Sequence, residues 1–85
     1  SLFIMQLTSQ DNTKVIDYYP TKNAYGYPID NQILKVITYN GQTLVKEVMD
    51  SKYLDNEITN RLWNHNYRVT MNTKRPAQFI TQEAQ

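Results

Sequence analysis

The chain has 85 residues, a net charge of +1 and no cysteine. That length accommodates one small core and no second one, burying about 60–65% of the surface the unfolded chain exposes. The absence of cysteine rules out a disulfide framework and a thiolate metal site, so stability must come from packing, a partner subunit or a parent chain.

The chain opens "SLFIMQL", without an initiator methionine. This apolar run is far too short for a signal-peptide core or a membrane span. We expect Ser1-Leu2 to be vector-derived and the rest to be cut from a longer protein, with residues 1–85 forming a single small α+β domain.

"FIMQLTS" alternates, with Phe3, Met5 and Leu7 on one side and Ile4, Gln6 and Thr8 on the other, as a half-buried strand does. "KVIDYY" follows after a turn at Asp11-Asn12, residues that tolerate positive φ. Pairing across that turn sets Leu7 against Ile16 and Met5 against Tyr18. Phe3, Met5, Leu7, Ile16 and Tyr18 then share one face, an agreement that a one-residue slip would destroy.

"YYPTKNAYGYP", residues 18–28, holds four tyrosines between breaker residues. The register points Tyr18 inward and Tyr19 away from the core. Tyr25 and Tyr27 flank Gly26 in a stretch too interrupted by Pro and Gly for regular structure. Tyrosine suits binding loops because it offers a large amphipathic area at a small entropic cost. The alternative is a lid whose rings close an open end of the core. A binding surface requires at least two of Tyr19, Tyr25 and Tyr27 to face solvent.

"ILKVITY" and "TLVKEVM" flank Asn40-Gly41, the strongest short hairpin signal. A regular ladder sets Thr38 against Thr43, Ile37 against Leu44 and Ile33 against Val48. It puts Ile33, Ile37, Tyr39, Leu44 and Val48 on one face. It also opposes Lys35 to Lys46, a like-charge pair costing a few tenths of a kcal/mol. Residues 43–50 also fit helical spacing, with Thr43 as cap, but the valines and the Asn-Gly turn favour a strand.

"SKYLDNEITNRLWNHN" reads as the main helix. Leu54, Ile58 and Leu62 form one stripe with Trp63 beside it, Ser51 can cap, and acidic residues precede basic ones along the dipole. "YRVTMN" alternates, with Tyr67, Val69 and Met71 against Arg68, Thr70 and Asn72, and reads as a final strand. Pro76 ends that run. The segment beyond it reads as either a short helix or an extended tail docking Phe79 and Ile80. The predicted fold is α+β: a small antiparallel sheet of about five strands, ordered β-β-β-β-α-β, with one main helix packed on it. Ile4, Val15, Leu34, Val36 and Val45 fall on the face away from that helix. So many apolar residues call for a second layer: the C-terminal segment, a second subunit or closure of the sheet.

No catalytic constellation emerges. His65 is the one histidine; Ser9 and Ser51 lie outside any nucleophile elbow. Asp50, Asp55 and Glu57 lack the spacing of a calcium loop. Gly26 and Gly41 are explained by turns, which removes support for a phosphate-binding loop. A metal-free nuclease on His65, Tyr67 and Arg68 is weakened because adjacent strand residues point to opposite faces. Residues 59–85 carry Arg61, Arg68, Lys74 and Arg75 against Glu83, a net of +3. There Trp63, His65, Tyr67, Arg68, Lys74 and Arg75 interleave aromatic and basic side chains, as surfaces that stack bases and hold phosphates do.

The sequence therefore favours a non-enzymatic protein-interaction or assembly module of bacterial or phage origin. Tyr19, Tyr25 and Tyr27 are its expected contact residues, and a protein partner or self-association is expected, with no cofactor, metal or membrane span. The alternative is a nucleic-acid-binding domain using the basic aromatic C-terminal third.

Overall fold

The computed structural model describes residues 4–64 and 66–72. Four strands form a meander: β1 (Met5–Ser9), β2 (Lys14–Lys22), β3 (Pro28–Tyr39) and β4 (Gln42–Asp50). A single 3-10 turn, Ser51–Tyr53, leads into α1 (Leu54–Trp63), which returns the chain to β5 (Tyr67–Asn72) on the far side of β1. The sheet order is β4-β3-β2-β1-β5 and every pairing is antiparallel. This is the α+β arrangement expected from the sequence. Phe3 and the segment beyond Asn72, with Pro76, Phe79 and Ile80, lie outside the described residues.

The first hairpin has the register its two alternations predict, Met5 opposite Tyr18 and Leu7 opposite Ile16. The connection is held by Asp11, whose Oδ1 accepts hydrogen bonds from the Ser9 hydroxyl, the Thr13 hydroxyl and the Thr13 N–H. Asn12 adopts the left-handed conformation there. These bonds hold the Asp11 carboxyl at a pKa of about 2, with the Thr13 hydroxyl the largest cause.

The second hairpin is a correction. Asn40 and Gly41 both have positive φ, at 49° and 83°, the backbone a two-residue turn needs to match strand twist. Tyr39 pairs with Gln42 and Thr38 with Thr43, but the register then shifts. Leu44 is an extra residue, a β-bulge, so Ile37 faces Val45, Lys35 faces Glu47 and Ile33 faces Met49. The like-charge pair of the regular ladder becomes an ion pair, with Lys35 Nζ 3.2 Å from a Glu47 carboxylate oxygen. Leu44 and Val48, expected in the core, are 56% and 58% exposed. A second bulge lies where β5 meets β1: Leu7 pairs with Val69 but Gln6 with Met71. It breaks the alternation that would have placed Met71 with Tyr67 and Val69, and Met71 is exposed.

The helix packs as its stripe predicts. Leu54, Ile58 and Leu62 are buried against Met5, Leu7, Ile16, Tyr18 and Ile33. Complete burial of an aliphatic side chain of this size stabilises by about 1.5–3 kcal/mol. Asp50, not Ser51, caps the 3-10 turn that leads into α1: its side chain accepts from the Lys52 N–H at 3.0 Å, while the first residue of α1 is preceded by Tyr53 with no side-chain cap bond. Asp50 is therefore both the last strand residue and the helical lead-in.

On the opposite face, no second layer covers the sheet among the described residues. Two of the five apolar residues assigned to that face sit elsewhere. Ile4 joins the core cluster, and Val45 is carried by the bulge to the row of Ile37. Val15, Leu34 and Val36 remain, partly or fully buried among polar neighbours. There the Gln6 amide donates to Asp17 at 2.8 Å, and the hydroxyls of Thr8 and Thr70 lie 2.8 Å apart.

Candidate functional site

Beyond Pro20 and Ile33, the β2–β3 hairpin outruns its neighbours. Among the described residues β1 pairs with β2 no further than Tyr18, and β4 with β3 no further than Gln32. Residues 21–31 form an arm with no third strand beside it among the described residues. Among the described residues no β1 residue pairs with Pro20, whose missing N–H is tolerated where a strand has no neighbour on that side. Asn31, with φ of 64°, lies in the irregular stretch where the pairing shifts between Pro20–Ile33 and Lys22–Pro28.

The tip of this arm is tied by one side chain. Asn23 Oδ1 accepts from the backbone N–H of Tyr25 at 2.9 Å and of Tyr27 at 3.1 Å. Asn23 N–H donates to the Tyr27 carbonyl at 2.8 Å, and Gly26 N–H donates to the Asn23 carbonyl at 3.0 Å. Asparagine side chains close such turns readily, and Gly26 takes the positive φ of 86° at no steric cost. Tyr25 and Tyr27 are 86% and 69% exposed. Their rings stand in solvent and cap no part of the core. Tyr19 pairs with Leu34 on the face opposite the helix and is partly buried. Burial first, then the Asp17 charge, raises the pKa of its hydroxyl.

The aromatic and basic set of the last third is dispersed. Trp63 ends α1 and is exposed. Tyr67 packs at the margin of the core, with the Arg61 guanidinium 5.3 Å from its ring centre, a favourable cation–π distance. Arg68 is occupied locally: one guanidinium nitrogen donates to the Ser9 carbonyl at 2.9 Å and the other to Asn12 Oδ1. Tyr67 and Arg68, as neighbours on one strand, face opposite sides. His65, Lys74 and Arg75 lie outside the described residues.

An open cleft of about 460 Å³ lies beside the β1–β2 turn, lined among others by Ser9, Asp11, Lys14, Tyr39 and Tyr67. Its Ser9, Asp11 and Thr13 side chains serve each other. The Ser9 hydroxyl donates to Asp11 and accepts from the Lys14 N–H. A carboxylate held at about 2 is a poor general base near neutrality. Among the described residues, no group of three or more histidine, cysteine or acidic side chains is placed to hold a metal ion. No helix there is long and apolar enough to cross a membrane.

The exposed apolar residues of β4, namely Leu44, Val45 and Val48, escaped the sequence reading because the regular register buried two of them. The Lys35–Lys46 conflict was the available signal. A ladder that opposes two lysines beside the core invites the one-residue bulge that separates them.

No protein-family model, no curated protein and no solved structure matches this chain.

Proposed function

We propose that this domain is a non-enzymatic protein-interaction module that presents Tyr25 and Tyr27 to a protein partner. The observation that carries the reading is the pair of solvent-facing rings on a turn fixed by Asn23. A binding surface of this kind has its backbone ordered before contact, so association costs less conformational entropy. Tyrosine adds apolar area with a hydroxyl handle and only two side-chain torsions to immobilise. The rings contribute nothing visible to the core, so their exposure is not a by-product of packing.

The test is site-specific photocrosslinking from position 25 in the source cells. A discrete protein adduct formed from position 25, and not from the exposed control position Asn56, supports the reading. A companion titration with short DNA and RNA checks the alternative. Salt-sensitive amide shifts from Trp63 to Arg68, with no adduct from position 25, would replace a protein partner by a nucleic acid, since phosphate binding weakens steeply with ionic strength.

A further inference from the structure

β4 is an edge of the sheet, with a partner on the β3 side alone among the described residues. Such a strand presents every second N–H and C=O to solvent. It is nine residues long, without proline, and Leu44, Val45 and Val48 stand exposed along it. Protected edges are short, kinked or heavily charged. This one has a bulge at its beginning, but from Val45 to Asp50 the ladder against β3 is regular.

We propose that β4 pairs antiparallel with β4 of a second copy of this chain, about a two-fold axis through Val48. It uses a different surface from the tyrosine tip and stands independently of that reading. In a continuous antiparallel sheet, opposing residues share a face, so a two-fold axis passes through one residue and its own copy. The choice of that residue decides the charges. An axis through Lys46 opposes two lysines, and one through Glu47 opposes two glutamates. An axis through Val45 pairs Thr43 with Glu47 and Leu44 with Lys46, and runs into the bulge. An axis through Val48 sets Lys46 against Asp50 of the other copy twice over, with Glu47 opposite Met49. It is the one register of the four that makes opposite-charge pairs, and it relies on none of the bulged residues. It also joins two apolar rows. Tyr19, Leu34 and Val48 lie in register across β2, β3 and β4. The axis continues that row through Val48, Leu34 and Tyr19 of the second copy, on the face opposite the helices. Asp50 keeps its cap, since one carboxylate oxygen serves the Lys52 N–H and the other remains for a lysine.

The absence of cysteine makes the register directly readable. Opposing residues in an antiparallel pair have Cα atoms about 4.5–5.5 Å apart, within disulfide reach. Val48→Cys should therefore cross-link to its own copy under mild oxidation. Val45→Cys, also solvent-exposed though less so than Val48, should form dimer at least 10-fold more slowly, because the axis through Val48 separates the two Val45 positions by roughly 20 Å. Sedimentation of the unsubstituted protein should show a monomer–dimer equilibrium. Lys46→Glu should weaken it about 10-fold and Asp50→Asn less, since asparagine keeps the cap; circular dichroism checks that each variant is folded. Equal cross-linking at the two positions overturns the register. A monomer at millimolar concentration overturns self-pairing altogether and leaves the edge to a strand of another protein.

Discussion

Lys35 Nζ lies 3.1 and 3.2 Å from the two carboxylate oxygens of Glu57, joining the third strand to the helix across the edge of the core. The same carboxylate accepts the Tyr18 hydroxyl at 2.6 Å, and Lys35 also reaches Glu47 at 3.2 Å. Burial, and then the Glu57 hydrogen bond and charge, push the Tyr18 hydroxyl well above its ordinary pKa. It therefore stays a donor at any physiological pH.

Removing Glu57 leaves Tyr18 and Lys35 buried with fewer partners. Glu57→Ala should destabilise by about 2–4 kcal/mol, toward the lower end because Glu47 still serves Lys35. Glu57→Gln, which still accepts from Tyr18, should cost clearly less. Urea denaturation of both variants, combined with Lys35→Met in a double-mutant cycle, should return a Lys35–Glu57 coupling of roughly 0.5–3 kcal/mol.

The two ends of the molecule should respond oppositely to truncation. Ile58→Ala empties a fully buried site and should cost about 2–5 kcal/mol. Tyr25→Ala and Tyr27→Ala should each stay within about 0.5 kcal/mol, as surface changes do. A thermal scan separates the outcomes, since 1 kcal/mol moves the midpoint of a domain this size by roughly 4–8 °C. A large loss at either tyrosine would show that the rings are structural.

Asn23→Ala should act on order rather than on the core. It removes the acceptor of two backbone N–H groups at the tip and should cost about 1 kcal/mol, the usual worth of such a bond. Backbone order parameters at residues 24–27 should fall while those of the sheet hold. Asn23→Asp, which keeps an acceptor oxygen, should preserve the turn.

Asp11 sets an acid limit. Its folded pKa of about 2 lies below the ordinary value of 3.8. The carboxylate therefore adds stability above about pH 4, and this is lost as pH falls from there through about 2. Denaturation midpoints measured between pH 2 and 5 should show this dependence, and Asp11→Asn should flatten its share of it.

Much of the fold was legible because independent signals agreed. The first hairpin rests on two alternations and one turn, and the helix on a stripe of three aliphatics. The second hairpin failed at Leu44, because a bulge inserts one residue and leaves composition and turn unchanged. What the pattern did carry was an objection, the lysine pair, which only tertiary packing resolves. Asp50 is legible only as an acidic residue near the helix start, whereas in the structure it both ends β4 and caps the 3-10 turn. Of the candidate site, the tyrosines were legible as a cluster, but their exposure was not. That depends on how far β1 and β4 run beside the hairpin, which no local pattern encodes.

The position of β5 beside β1 bears on how the chain reaches this structure. The meander closes through local hairpins, whereas β5 must find a strand about sixty residues earlier in the chain. Until the helix arrives, Met5, Leu7, Ile16 and Ile33 have no cover. Chain emerging from the ribosome would present that bare sheet before Leu54, Ile58 and Leu62 exist to shield it. Pairing of β5 with β1 should then limit the rate of folding, and substitutions in β5 should slow refolding more than equally destabilising ones in the β3–β4 turn.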